Sequence, residues 1–209
     1  MEARCTHHLR GPDAGRFAGV GENRLVVRRA TAEDGSFLAD MLVEAANWSA
    51  DWKKKSRRRV LSAPATAHYI AGWPRDTDLG VMAEADGEPV GAAWLRFLPA
   101  ADPGYGFVAP DVPELTIGVA RDWRGRGVGR ALLRGLAGQA RSAGIRRISL
   151  SVERKNFARQ LYLSEGYQIV DSSDANSDTM VKDLGPVIRT REDRASVPAA
   201  SAPGVARPD

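Results

Sequence analysis

The chain has 209 residues, 43% of them hydrophobic, and a formal net charge of +4, enough to bury one good core and more readily one domain with loose ends than two. The mild positive charge suits an anionic ligand without calling for nucleic acid. No apolar run is long enough to span a membrane, and the first residues lack the apolar block of a signal peptide. The single cysteine, Cys5, excludes an intramolecular disulfide and points to a reducing, cytoplasmic setting.

In chain order, residues 1–23 carry His7, His8 and scattered glycine and proline with little apolar periodicity, and read as a flexible leader. Two adjacent histidines with no third ligand nearby are not expected to hold a metal. A short first strand centres on Leu25, Val26 and Val27, and Thr31 with Asp34 forms a capping-box-like helix start. The first helix, with Leu38, Met41, Leu42 and Ala45 on one stripe, runs to about Asn47 and is expected only to pack.

Residues 48–59, between Trp48 and Arg59, are a basic run flanked by aromatics, read first as a solvated helix face. Residues 66–73 continue as a second helix, with His68, Tyr69 and Trp73 as candidate pocket walls and His68 as a remote candidate for a general base. Residues 79–85 and 89–98 alternate as a hairpin around Asp86 and Gly87, the pair that supplies the positive φ values of a type I′ turn. Residues 99–113 form a loop around Tyr105 and Phe107, long enough to suggest a role beside a binding site.

Glu114 then opens a strand through Thr116, Ile117 and Val119. It leads into Arg124-Gly125-Arg126-Gly127-Val128-Gly129, where glycines allow positive φ and let successive N–H groups converge. A helix follows at once, with Val128, Leu132, Leu136 and Ala140 on one stripe, so the loop sits where free N–H groups and the helix dipole attract anions. It is not a P-loop, since Arg130 and Ala131 follow Gly129 in place of Lys and Ser or Thr. The dinucleotide fingerprint fails as well, because its third glycine falls on Arg130. After a stop at Gly144, residues 145–152 read as a buried strand, Asn156 starts a further helix that ends at Gly166, and residues 167–170 and 179–184 make two last strands. The tail, 186–209, rich in Ala, Pro, Ser and Arg, is expected to be disordered.

Two segments share one resemblance. Arg-x-x-Gly-x-Gly, beginning at Arg124 after an acidic-led strand, and Asn-x-x-Ala-x-x-Leu-Tyr from Asn156 to Tyr162, followed by Gly166 and Tyr167, resemble the signatures of the GNAT superfamily of acyl-CoA-dependent N-acetyltransferases. One helix and one strand separate them, which brings both to one edge of a parallel crossover. The resemblance covers about residues 24–185. It implies a single α/β (α+β) domain with a mixed central sheet of about six to seven strands flanked by about four helices. It also implies an acetyl-CoA-dependent N-acetyltransferase in which a primary amine attacks directly within a ternary complex, with acetyl-CoA as cosubstrate and no metal.

On this resemblance the pyrophosphate lies on Arg124, Gly125, Arg126, Gly127, Val128, Gly129 and Arg130, and the pantetheine arm meets the backbone at Ile117 and Val119 and the side chain of Asn156. Tyr162 matches the tyrosine that contacts the CoA sulfur and acts as the acid, and Glu114 is the candidate base, directly or through water. In such proteins the segment near residues 48–59 borders the acceptor site and can guide an acidic acceptor. The acceptor is expected to be a small amine-bearing molecule, with a protein amine left open, and the chain a monomer or homodimer without membrane or nucleic-acid partners. A silent acyl-CoA-binding sensor or assembly module is the alternative.

Overall fold

The computed structural model describes residues 24–185. The leader and tail, with Cys5, His7 and His8, lie outside the described residues. Seven strands form one sheet: β1 (Leu25–Arg29), β2 (Leu79–Ala85), β3 (Glu88–Arg96), β4 (Glu114–Val119), β5 (Arg147–Glu153), β6 (Gln168–Asp171) and β7 (Ser177–Asp183). Their order is β1-β2-β3-β4-β5-β7-β6. Every neighbouring pair is antiparallel except β4 and β5, which the intervening helix forces to run parallel. The β2–β3 hairpin turns at Asp86 and Gly87 with φ of 52° and 87°, as their sequence demands.

Strand alternation sorts the core into two layers. Val81, Ala83, Ala93 and Leu95 face helix α4 (Val128–Ser142), whose stripe of Val128, Leu132, Leu136 and Ala140 is buried against them. Their neighbours Met82, Ala92 and Trp94 face the other way, towards Leu38, Met41 and Leu42 of α1 (Gly35–Ala46). Each fully buried leucine of these layers contributes roughly 1.5–3 kcal/mol of transfer free energy. At Gly118 of β4 a Cβ would stand 2.4 Å from the Met41 carbonyl oxygen, so glycine there is what lets α1 lie directly on the strand.

Among the described residues five helices flank the sheet, in keeping with the about four expected. The basic run does not form a helix face along its length: α2 (Arg57–Ser62) begins only after Ser56, whose hydroxyl accepts from the Arg59 N–H at 3.3 Å, and Lys53, Lys54 and Lys55 precede it in irregular backbone. Nor do residues 66–73 make one helix. Ala63, preceding Pro64, is held extended at φ −75° and ψ 128°, as steric contact with the proline ring requires. Beyond it α3 (Pro64–Ala67) makes one turn before the chain loops to Trp73.

Glycine closes α4 and the last helix. Gly144 at φ 81° lets Ile145 donate to Ala140 and Gly144 to Arg141, which delays β5 to Arg147. Gly166 at φ 86° ends α5 (Ala158–Ser164) in the same way, with Tyr167 donating to Tyr162.

β4 and β5 share one register pair, Glu114 with Ser149. Next to it the 99–113 loop packs down, and a Cβ on Gly106 would fall 2.3 Å from the Leu150 backbone carbon, so the loop lies directly against β5. Beyond this point the two strands part, and the space between them is the mouth of the site.

Candidate functional site

A cleft of about 1380 Å³ runs along the gap between β4 and β5. It is lined by the loop before α4 and by Trp48, Trp52, Tyr69 and Tyr105. At the loop the wall is built from backbone. Gly125 and Gly127 sit at φ 73° and 84°, and the first hydrogen bond into α4 is from Ala131 N–H to Gly127 C=O at 3.0 Å. Among the described residues the amides from Gly125 to Arg130 find no protein acceptor. Free amides at the positive end of a fifteen-residue helix are suited to a pyrophosphate-like anion.

The side chains of this loop are more committed than its amides. Arg124 donates to Glu44 of α1 at 2.8 Å and to the Val119 carbonyl at 3.1 Å. Arg130 pairs with Glu165 at 3.0 Å and donates to Ser164 at 3.1 Å, tying α4 to α5. Arg126 lies 5.1 Å over the Trp123 ring and away from the cleft wall, and Val128 packs in the core, so these two offer main chain rather than side chain. Gly129 lines the cleft where α4 meets Leu161, and a Cβ there would stand 3.1 Å from the Leu161 side chain, a tight contact.

Ile117 and Val119 line the floor. Asn156 lines the opposite wall, its Oδ1 accepting from the Ala158 N–H at 2.9 Å, so it both caps α5 and faces the cleft. Tyr162 also lines the cleft at 7% exposure. Its ring meets Tyr167 edge-on at 5.7 Å, its hydroxyl makes no hydrogen bond among the described residues, and burial pushes the phenol above its ordinary range. A buried phenol of this kind holds its proton at neutral pH and can donate it to a developing thiolate.

Glu114 is 4% exposed. Its Oε1 accepts from the Tyr69 hydroxyl and from the Gly106 N–H, both at 2.7 Å, while Oε2 is buried without a partner. Burial pushes the carboxyl above the usual carboxylate range, against the opposing pull of those two donors. Tyr69 in turn accepts from the Tyr105 N–H at 2.7 Å, and its phenol is pushed up by burial and by the Glu114 charge. Loop, phenol and carboxyl thus form one hydrogen-bonded unit beneath the cleft.

Tyr69 is the one expected pocket wall that reaches the cleft. His68 turns from it to place Nδ1 3.0 Å from Asp102, and the Trp73 indole donates to the Thr31 carbonyl at 2.9 Å. The sequence reading missed the Tyr69–Glu114 contact, which joins residues 45 apart with no local motif. It also missed Phe157, 90% exposed at the cleft rim, although an aromatic immediately after Asn156 was a usable signal. Among the described residues no three His, Cys, Asp or Glu stand together as a metal site, and no helix is long and apolar enough to cross a membrane.

Residues 42–167 match the protein family described as the acetyltransferase (GNAT) family. No curated protein matches the chain in sequence. Among solved structures, PaiA N-acetyltransferase from Thermoplasma acidophilum in complex with coenzyme A aligns over 77% of this chain and 99% of its own, at 18% identity and a TM-score of 0.54. The GNAT domain of S. lividans PAT aligns over 75% and 89%, at 24% identity and 0.56. YncA from Salmonella typhimurium, with its cofactor acetyl-CoA, aligns over 78% and 95%, at 20% identity and 0.54. These likenesses concern the fold.

Proposed function

Because the chain belongs to the acetyltransferase (GNAT) family, which its central region matches over more than half of its length, we propose that it transfers an acetyl group from acetyl-CoA to a primary amine by direct attack in one ternary complex. The observation that carries this reading is the joining, in one cleft, of the free amides before α4 with a buried phenol and a buried carboxyl. The amides of Gly125 to Arg130 hold the pyrophosphate, with Arg124 and Arg130 beside them. The pantetheine arm lies along Ile117, Val119 and Asn156 between the parted strands.

Glu114 takes one proton from the acceptor ammonium, directly or through a water, and the affinity of its carboxyl for protons, raised by burial, makes it a stronger base than an exposed carboxylate. The freed amine attacks the thioester carbon, the C–S bond breaks, and Tyr162 gives its proton to the departing sulfur. The products are an N-acetylated amine and free CoA. No covalent enzyme intermediate is required, since among the described residues the cleft offers no cysteine. Tyr69 holds the Glu114 carboxyl in place, and the protein acts in the cytoplasm, as its single cysteine suggests.

The acyl-CoA sensor reading needs the amides alone and leaves the buried Glu114 and the unbonded Tyr162 hydroxyl without a purpose. Release of the CoA thiol from acetyl-CoA across a panel of small amines and amine-bearing peptides tests the proposal. Turnover with any acceptor, lost in Tyr162→Phe, supports it; tight CoA binding with no thiol release across the panel favours the sensor.

A further inference from the structure

Residues 53–59 hold six cations, and one of them, Arg57, is paired, with Asp40 of α1 at 2.6 Å. Lys53, Lys54, Lys55, Arg58 and Arg59 form no ion pair among the described residues, all are exposed, and the one acid close in sequence, Asp51, does not compensate them. Crowding five free like charges costs self-repulsion, which a protein offsets when an anion comes to them. These cations also surround a shape. A hollow of about 390 Å³ is lined by Lys53, Lys54, Lys55, Ser56 and Arg59 alone.

Lys55 belongs both to this hollow and to the wall of the main cleft, so the two are adjacent. Its backbone is held: the Asn47 side chain at the end of α1 donates to the Lys55 carbonyl at 3.0 Å and accepts from the Lys55 N–H at 2.8 Å, a two-bond clamp on the main chain from which the ammonium projects. The cleft beside it is aromatic, with Trp48 edge-on to Trp52 at 5.3 Å and Tyr105 stacked on Tyr69 at 6.4 Å. The same cleft is lined by Tyr69, whose hydroxyl donates to Glu114.

Resting on the acetyl-transfer reading above, we propose that the acceptor is an amine that also carries an anionic group, a carboxylate or a phosphate. The anion sits on Lys53, Lys55 and Arg59, the carbon frame crosses the Trp48–Tyr105 aromatic walls, and the amine points towards Glu114. Charge in a concave, partly apolar setting both concentrates such acceptors and selects them over neutral amines of the same length.

The test uses the full chain saturated with CoA, so that the amides before α4 are occupied. Citrate and inorganic phosphate are titrated by calorimetry into this complex and into the variant Lys53→Gln, Lys55→Gln, Arg59→Gln, whose three positions are exposed. The expected result is binding at least about tenfold weaker in the variant, about 1.4 kcal/mol, with the variant's own CoA affinity unchanged. In turnover, 6-aminohexanoate is compared with 1-aminohexane, and phosphoethanolamine with ethanolamine. The anionic member of at least one pair should have the higher kcat/KM, and the pair that shows it names the anion. This preference should vanish in the variant.

Equal anion binding by both proteins, or acetylation with no preference for the anionic member, overturns the proposal and leaves acetyl transfer standing. Anion binding that the variant loses, with no amine acetylated, keeps the subsite and removes acetyl transfer. A variant that loses affinity only for duplex DNA or anionic vesicles shows a polyanion-docking surface and likewise overturns the proposal.

Discussion

Replacing Glu114 by Gln separates the charge of this residue from its shape. The amide oxygen of glutamine can still accept from Tyr69 and Gly106, so the hydrogen-bonded unit persists while the buried charge goes. In the unfolded chain the Glu114 carboxyl titrates near 4.5, and folding raises that value because burial disfavours the anion. A group bound more tightly to its proton in the folded state favours folding below the unfolded value. That contribution is lost as pH climbs through the folded value, so at neutral pH the buried charge is a net cost.

Between those two points the folded wild type holds up to one more proton than the unfolded chain, which gives a slope of up to about 1.4 kcal/mol per pH unit. For a domain of this size that is about 3–5 °C of melting temperature per pH unit. Scanning calorimetry of both proteins from pH 4.5 to 8.5 at constant ionic strength isolates this carboxyl, since every other titrating group is shared. The melting temperature of the variant should gain on that of the wild type as pH rises, then level off. The plateau should begin where the acidic limb of wild-type kcat/KM ends, because one titration governs both. Parallel melting curves across the range would show an unperturbed carboxyl and refute the assignment of Glu114 as a tuned base.

Gly127→Asp places a carboxylate on a backbone at φ 84°, a conformation that strains a non-glycine residue, though no atom within 4 Å obstructs the side chain. The strain should cost about 1–3 kcal/mol of stability without unfolding the domain, while like-charge repulsion of about 4 kcal/mol at close range weakens CoA binding about 10²-fold or more by calorimetry; unchanged affinity would move the pyrophosphate elsewhere. Tyr162→Phe removes only a hydroxyl that bonds to nothing among the described residues, so CoA affinity should hold while kcat falls about 10²-fold; wild-type turnover would return the ring to packing. Gly118→Ala drives a methyl against the Met41 backbone and should cost about 1–3 kcal/mol, read as a lower melting temperature with faster hydrogen exchange in α1.

The elements around the loop before α4 were legible because their signals are local. Glycine at positive φ, a period-3.6 stripe from Val128 to Ala140 and a period-2 strand from Glu114 each declare themselves within a few residues. The division of the segment after the basic run was not, since Pro64 splits it and one-turn helices carry too few residues for a periodic signal. What surrounds Glu114 was hidden for another reason. Tyr69 and Gly106 reach it from an irregular segment and a loop whose meeting depends on the tertiary packing of α1 to α3. The same holds for Arg96 and Asp78, a fully buried ion pair that anchors the loop after α3 and that composition alone would have placed on the surface.

The single rung between β4 and β5 gives this sheet two edges in its own middle. Along them, main-chain groups that a continuous sheet would satisfy are left open to whatever extended chain enters, and the strand edge of a neighbouring molecule meets that description as well as a ligand does. The ligand-free protein is therefore the form most exposed to strand addition and slow association. CoA in the purification buffer should raise the soluble yield, and a stored sample should lose monomer fastest after the ligand has been dialysed away.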